Sequence, residues 1–176
     1  MVEIMDQGSN ESITESLRDK YLTFLVDQDQ YGVEIKHVTE IIGIQLITEM
    51  PQMPDYIRGV INLRGRIIPV MDVRIRFGKS IHEYNDRTCI IVLELHELSI
   101  GLIVDRVSEV MSIMPEQIVP PPELGDARNR FVSGLGKVGS DVMLLLDCSK
   151  LLWKHEPETD SPTIKQNGGI DDEMAL

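Results

Sequence analysis

The chain has 176 residues, of which 42% are hydrophobic, so it can bury a core as one domain or as two small lobes. Its formal net charge of −12 at pH 7 argues against a surface built for nucleic acid or anionic lipid, because both need a basic footprint. Two cysteines, Cys89 and Cys148, lie inside apolar runs without a CxxC pair. We interpret them as free, buried thiols.

Both ends of the chain are polar. Residues 1–20 have no sustained apolar repeat, which predicts a flexible tail, and residues 154–176 are predicted to form a second, acidic tail. The first residues lack the basic and apolar regions of a secretory signal, and no run of about 18 apolar residues occurs. We therefore expect a cytoplasmic protein without direct membrane insertion.

Regular structure is predicted to begin at Tyr21. The runs YLTFLVD and DQYGVEI flank the turn-prone residues 27–30 and predict a β-hairpin. The next segment, IKHVTEIIG, has apolar residues at helical spacing between Ile35 and Ile42 and ends on Gly43. This pattern predicts one short helix.

A second hairpin is predicted from GVINLR and RIIPVMDV, with its tip at Arg64 and Gly65. Glycine supplies the positive φ that a tight turn needs. The preceding segment, QLITEMPQMPDYI, contains two prolines and predicts a strand and a turn. Within the hairpin, Pro69 indicates an edge strand or a bulge, because proline cannot donate to a sheet.

The second half of the chain repeats this pattern of short strands. The runs IIVLEL and IGLIV predict a third hairpin, VSEVMSI continues extended, and FVSGLGKVG and MLLLD follow after three prolines. Many short strands with only one or two short helices predict an all-β, barrel-like fold. Similar strand groups on either side of residues 79–88 predict two lobes with a boundary there.

No catalytic constellation is evident. The sequence has no GxSxG, HExxH, GxxxxGK[ST] or GxGxxG motif, and we predict no metal site and no cofactor. His37 and Glu40 form an HxxE pair, which is more often a surface or packing feature than a metal site. The aspartates that end apolar runs are interpreted as turn residues. Recognition is therefore favoured over catalysis.

A cationic strip lies between residues 58 and 79, where six basic residues accompany one acid, Asp72. This strip raises the alternative of a nucleic-acid-binding β-barrel, with arginines on phosphates. The acidic balance of the whole chain and the scarcity of aromatic residues for base stacking count against that alternative.

Several segments, among them YGVEIKHVTEIIG, DYIRGVINLRGRIIPVMDVRIRFG and VDRVSEVM, together resemble the CheW family of bacterial chemotaxis coupling proteins. The resemblance covers residues 21–153, and the string NLRGxIxPxxDxR is its most specific part. It implies two five-stranded SH3-like barrels, with a strand near the start of the chain completing the second barrel. It also implies a non-enzymatic adaptor.

The same resemblance implies two partners: the cytoplasmic hairpin tips of chemoreceptors and the regulatory domain of the histidine kinase CheA, within membrane-bound receptor arrays. The residues that match the functional surface of the family are Val38, Glu40, Gly59, Arg64, Gly65 and Val110. All except the two glycines are placed nearest the receptor groove. Which residue touches receptor and which touches kinase is left open.

Arg64 is expected to reach Glu40 and to join the predicted helix to the hairpin tip through a bidentate ion pair. This pair has two possible roles: it holds the wall of the groove, or it contacts a partner directly. For Val38 and Val110, ordinary core packing is the alternative to a role in binding. Arg66 departs from the family pattern, which more often has an apolar residue after NLRG.

Overall fold

The structure is a computed structural model that describes residues 8–123 and 130–152. Strands dominate these ranges, and the helices are short. The strands are β1 (Lys20–Val26), β2 (Asp29–Glu34), β3 (Val38–Gly43), β4 (Ile57–Leu63), β5 (Arg66–Asp72), β6 (Cys89–Leu95), β7 (Leu98–Val104), β8 (Arg106–Ser112), β9 (Ile118–Val119), β10 (Val132–Val138) and β11 (Asp141–Leu146). The helices are α1 (Gly8–Leu17), α2 (Val73–Arg76) and α3 (Cys148–Leu152), with 3-10 turns at Ile35–His37 and Pro115–Gln117.

The strands form two sheets. One has the order β8-β1-β2-β11-β10-β9 and is called the N/C lobe here, because it contains both the first and the last strands. The other has the order β3-β6-β7-β5-β4 and is called the middle lobe. Because β9 has only two residues, each sheet has five longer strands. This arrangement confirms the predicted all-β fold and agrees with two SH3-like subdomains.

The chain crosses between the lobes twice. It leaves the N/C lobe after β2 and returns at Asp105, the single residue between β7 and β8. The return is later than the boundary expected at 79–88, because β7 pairs in parallel with β5, with Val70 opposite Gly101. Strand periodicity alone does not reveal such a pairing between distant strands.

Three apolar clusters form the interior. The largest lies between the lobes and combines N/C-lobe residues such as Phe24 and Val33 with middle-lobe residues such as Leu93 and Leu102. Each lobe also has a smaller cluster of its own, one around Ile61, Val70 and Ile90 and the other around Ile113, Met143 and Leu145. The shared cluster joins the two sheets into one body by burial of apolar surface.

The helix predicted from Ile35 to Ile42 is wrong beyond its first turn. A 3-10 turn covers Ile35–His37, and the chain then extends as β3, which pairs with β6. Four of the six residues in β3 are β-branched, and their exposure alternates along the strand, as expected at the edge of a sheet. Val38 and Glu40 are therefore strand residues, not helix residues. A register shift between them puts Val38 opposite Leu93 of the cluster between the lobes and Glu40 opposite Val92 of the middle-lobe cluster.

The predicted hairpins are confirmed. Between β4 and β5 the turn residues Arg64 and Gly65 have φ of 52° and 86°, which is the pattern of a type I′ turn. The β6–β7 turn is of the same kind, with His96 and Glu97 at φ of 46° and 70°. Pro69 is not on an edge strand, since β5 lies between β7 and β4. Pro69 directly precedes Val70, the first residue of β5 that pairs with β7.

The N-terminal region differs from the expected tail. Helix α1 covers Gly8–Leu17, is exposed along most of its described side chains, and ends in an ion pair between Glu15 and Arg18 at 3.5 Å. The acidic tail predicted for residues 154–176 lies outside the described residues. No helix in the described ranges has the length and apolar character that a membrane span requires. Both cysteines are free, as predicted, with Cys148 buried and Cys89 half-buried.

Candidate functional site

The turn at Arg64 is tied to the opposite edge of its own sheet. Nη2 of Arg64 donates to Oε1 of Glu40 at 2.6 Å and to Oε2 at 2.8 Å. Glu40 lies on β3, while Arg64 follows β4, and these two strands are the outer strands of the middle lobe. The ion pair therefore links the two edges of a curled sheet, as closure into a barrel requires.

This ion pair leaves the arginine largely accessible. One guanidinium nitrogen reaches both carboxylate oxygens, so the predicted pair is present, but without a two-nitrogen fork. The Arg64 side chain is 73% exposed, against 26% for Glu40. Hydrogen bonding to Glu40 and its charge raise the pKa of Arg64. An exposed pair of this kind contributes little to folding; its main effect is to orient a charge at a rigid turn.

Two glycines of the predicted site have distinct backbone roles, one at this turn and one further along β4. The N–H of Gly65 donates to Oδ1 of Asn62 at 2.8 Å, which closes the turn. Gly59 on β4 has a φ of 142°, and a Cβ there would lie 2.1 Å from the carbonyl oxygen of Thr48. Thr48 and Val60 exchange two backbone hydrogen bonds of 2.9 Å at this point. Gly59 therefore permits a close approach of two backbone segments.

The two predicted valines lie in different surroundings. Val38 begins β3, is half-buried, and packs against the apolar cluster between the lobes. Val110 is 50% exposed on β8, the outermost strand of the N/C lobe, where it pairs with Leu22 of β1. The structure thus brings Arg64, Glu40 and Gly65 together at one turn, places Val38 and Gly59 elsewhere on the middle lobe, and places Val110 on the other sheet.

The cationic strip does not form one basic surface. Arg74 and Lys79 pair with acids of the N/C lobe, and Nη2 of Arg66 donates to Oγ of Ser99 at 2.6 Å. The guanidinium of Arg76 lies between two aromatic rings, 4.1 Å from the Tyr56 ring centroid and 4.5 Å from that of Phe131. Burial lowers the pKa of Arg76. Neighbours within the chain therefore engage several of these cations.

Burial affects two side chains of potential reactivity, Cys148 and His37, in the described residues. No group of three or more His, Cys, Asp or Glu side chains in them is placed to hold a metal ion. Burial raises the pKa of the Cys148 thiol to about 12, so it stays protonated and inert. Burial also lowers the pKa of His37, the histidine of the HxxE pair. Cys148 belongs to the apolar cluster between the lobes.

Comparison with known proteins identifies the family. The family model described as a CheW-like domain matches residues 20–156. The chain belongs to the CheW family. It is 37% identical to the chemotaxis protein CheW of Klebsiella aerogenes over 143 residues, which cover 81% of this chain and 86% of that protein. It is 30% identical to the protein FrzA of Myxococcus xanthus over 135 residues, which cover 76% and 84%.

A solved CheW structure shows the same architecture. The crystal structure of the scaffolding protein TtCheW from Thermoanaerobacter tengcongensis superposes with a TM-score of 0.71 at 35% identity. The match covers 76% of this chain and 91% of that chain. CheW proteins are non-enzymatic scaffolds of chemotaxis, so the interpretation of this chain as an adaptor without catalysis is confirmed. Helix α1 precedes the matched domain.

The sequence alone does not reveal which distant residues contact Asp105 and Thr48. From the sequence, Asp105 is interpreted only as a turn residue. In the structure its carboxylate accepts two hydrogen bonds from the guanidinium of Arg74. Thr48 falls in a predicted strand, but its contact with Gly59 has no local signal. The DxR spacing of Asp72 and Arg74 is visible in the sequence and predicts that these two residues lie close together. Nothing in the sequence relates them to Asp105, which is distant along the chain.

Proposed function

We propose that this protein couples the cytoplasmic tips of chemoreceptors to the histidine kinase CheA and gives receptors control of the kinase. The proposal places it in the cytoplasm, bound to membrane-anchored receptor arrays. The observation that carries the proposal is the CheW-like domain, which spans residues 20–156. The similarity to a protein described as a scaffold, at a TM-score of 0.71, supports the same role.

The proposed docking surface on the middle lobe centres on Arg64. Its side chain is held by Glu40 yet is 73% exposed, so a partner carboxylate can approach the guanidinium without displacing Glu40. A preordered side chain loses less entropy on binding than a free one. Gly65 forms the turn beside it, through a hydrogen bond to Asn62. These properties suit a recognition residue that a partner finds already oriented.

The N/C lobe offers a second proposed surface. Val110 is 50% exposed on an outer strand, and an exposed apolar side chain on a sheet edge is a common element of docking surfaces. Surfaces on two sheets allow two partners to bind at once, as an adaptor requires. We expect each isolated contact to be of roughly micromolar affinity, with avidity supplied by arrays.

The nucleic-acid alternative is not favoured. A phosphate-binding strip needs several free cations on one face. Here Arg74 is 8% exposed and paired with Asp105, Lys79 is paired with Asp29, and Arg76 is stacked between rings. A gel shift with DNA and RNA fragments at low salt checks this alternative, and we expect no binding that falls with added salt.

The proposal is tested by reconstitution. The full chain is mixed with CheA and receptor cytoplasmic fragments assembled on vesicles, and kinase autophosphorylation is measured with and without receptor ligand. We expect receptor-dependent kinase control only when the chain is present. The Arg64→Ala variant should weaken control, whereas Arg87→Ala removes the same charge from another exposed site and should not. A chain that binds neither receptor nor kinase in pull-downs contradicts the proposal.

A further inference from the structure

The two proposed docking surfaces lie on different sheets, so their relative orientation matters for an adaptor. Arg64 and Glu40 belong to the middle lobe and Val110 to the N/C lobe. The apolar cluster between the lobes supplies attraction but little directional preference, because burial of apolar surface is non-directional. We propose that Arg74 is a positioning residue that fixes the orientation of the two lobes and so couples the two surfaces. This inference rests on the proposed function.

The first observation is a bidentate ion pair between Arg74 and Asp105, called the fork here, at the point where the chain passes from the middle lobe to the N/C lobe. Nε of Arg74 donates to Oδ1 of Asp105 at 3.1 Å, and Nη2 donates to Oδ2 of the same carboxylate. The Arg74 side chain is 8% exposed and that of Asp105 is 35% exposed, so the fork is partly shielded from water. Asp105 is the residue at which the chain passes from β7 to β8. A planar fork fixes both the distance and the angle between the groups that it joins.

The second observation is that Asp105 also holds the first hairpin. Its Oδ2 accepts the backbone N–H of Asp27 at 2.7 Å, and its own N–H donates to the carbonyl of Leu25 at 3.1 Å. Nη1 of Arg74 lies 3.8 Å from Oδ1 of Asp27. Burial opposes ionisation of Asp105, yet hydrogen bonds from Arg74 and Asp27 hold its pKa below the ordinary value. One carboxylate thus joins α2, the β1–β2 turn and the start of β8.

The third observation is that the middle lobe holds Arg74 in place. Oδ1 of the buried Asp72 accepts the backbone N–H of Arg74 at 2.9 Å, and Oδ2 accepts the hydroxyl of Tyr84 at 2.7 Å. The carbonyl of Ser80 accepts from Nη1 of Arg74 at 3.3 Å. The guanidinium is therefore preorganised from the middle-lobe side before it meets Asp105.

These contacts lead from the middle lobe to the strand that carries the second surface. β8 begins at Arg106, directly after Asp105, and Val110 follows within the same strand. Loss of the fork leaves the start of β8 held by the sheet, the apolar cluster and the backbone hydrogen bond of Asp105 to Leu25, and leaves the single-nitrogen ion pair of Lys79 with Asp29 between the lobes. We therefore expect the lobes to sample several orientations without Arg74, while each surface alone stays intact.

The test uses the full chain with the charges of the fork removed together. In Arg74→Gln with Asp105→Asn, neither charge is left stranded, which is the usual cause of unfolding when one partner of a buried pair is deleted. The control, Arg18→Gln with Glu15→Gln, removes one charge of each sign from the exposed pair in α1. Circular dichroism establishes that both variants are folded.

Orientation is measured by pulsed electron spin resonance between labels at Glu94→Cys and Lys137→Cys, one exposed site on each lobe, with Cys89→Ser in the background. We expect one narrow distance distribution for the parent and the α1 control, and a broadened one for the fork variant. Receptor control of CheA should fall at least about fivefold, the lower end of typical coupling between sites. Binding to each isolated partner should stay within about twofold, since both surfaces are untouched.

The outcomes separate the two proposals. A fork variant that is folded, has a narrow distribution and couples normally overturns the inference, as does a broadened distribution with normal coupling. If the parent chain fails to couple, the proposed function fails, while the distance distribution still decides whether Arg74 orients the lobes. If the fork variant is unfolded, Tyr84→Phe takes its place, because it removes only the hydroxyl that holds Asp72. An unchanged distribution and unchanged coupling in that variant overturn the inference.

Discussion

Replacing Gly59 by alanine should destabilise the protein strongly, although the site is at the edge strand of a sheet. Its φ of 142° lies in a region that is essentially limited to glycine, which costs about 1–3 kcal/mol for alanine. The new Cβ would lie 2.1 Å from the Thr48 oxygen, so the two segments must separate. Separation breaks the two hydrogen bonds between Thr48 and Val60, at about 0.5–1.5 kcal/mol each.

Together these terms give a loss of about 2–6 kcal/mol, a large part of the 5–15 kcal/mol that is typical of a folded domain. Urea unfolding of the full chain, followed by far-ultraviolet circular dichroism, measures this loss. Gly43→Ala is the matched control, because Gly43 also lies in a strand, but a Cβ there would meet no atom within 4 Å and its φ is not positive. We expect it to change the free energy of unfolding by less than about 0.5 kcal/mol.

A loss below about 1 kcal/mol for Gly59→Ala, or an equal loss for both variants, refutes the reasoning. Amide hydrogen exchange adds a local readout, since the N–H groups of Thr48 and Val60 should exchange faster in Gly59→Ala only. If the loss is as large as expected, any effect of this substitution on partner binding acts first through the backbone. The role of Gly59 on the functional surface would then be indirect.

Three further predictions concern the exposed and buried members of the site. Arg64→Ala should leave the thermal midpoint unchanged, because its ion pair is exposed, and should weaken receptor binding in a pull-down. Val38→Asp should lower the thermal midpoint, because Val38 packs against the core between the lobes, whereas Val110→Asp at a half-exposed site should stay folded and lose only partner binding. Asp105→Asn should be less stable than the parent at pH 7, because the folded-state pKa of Asp105 lies below its ordinary value of 3.8. That stabilisation disappears as the pH falls below about 3.8 and through the folded-state pKa. Urea unfolding at pH 7 and in acid should therefore show that the difference in free energy of unfolding between the parent and Asp105→Asn becomes smaller in acid. The pH prediction is contradicted if the difference in free energy of unfolding stays constant with pH. Equal thermal midpoints for the two valine variants contradict the second prediction, and undiminished receptor binding by Arg64→Ala contradicts the first.

The local elements are predictable where turn chemistry fixes them. Glycine after Arg64 predicts the tip of the β4–β5 hairpin, and both turn residues do have positive φ. Alternating apolar runs likewise predict β6 and β7, which pair from Cys89 to Val104. Such features depend on neighbours in sequence, and a single chain shows them directly. The ion pair between Arg64 and Glu40 is also predictable, although its geometry is not.

The remaining features depend on contacts between distant residues. The segment after Ile35 carries apolar residues that fit both helical and strand spacing, and pairing with β6 decides for the strand. The cationic strip looks like a free surface in the sequence, because nothing there relates Arg74 to Asp105 or Lys79 to Asp29. The predicted lobe boundary is misplaced for the same reason, since parallel pairing of β5 with β7 has no local signal.

The strand order of the N/C lobe has a consequence for synthesis on the ribosome. The first hairpin emerges early, but β2 completes its sheet only with β11, where Tyr31 stands opposite Leu144. The middle lobe, β3 to β7, is encoded without interruption and can assemble while the last strands are still being made. Until then β2 pairs only with β1, and apolar residues of both strands can be covered by the finished middle lobe. We therefore expect the first hairpin to pack on the middle lobe before it pairs with β11, the slow, long-range step of this topology.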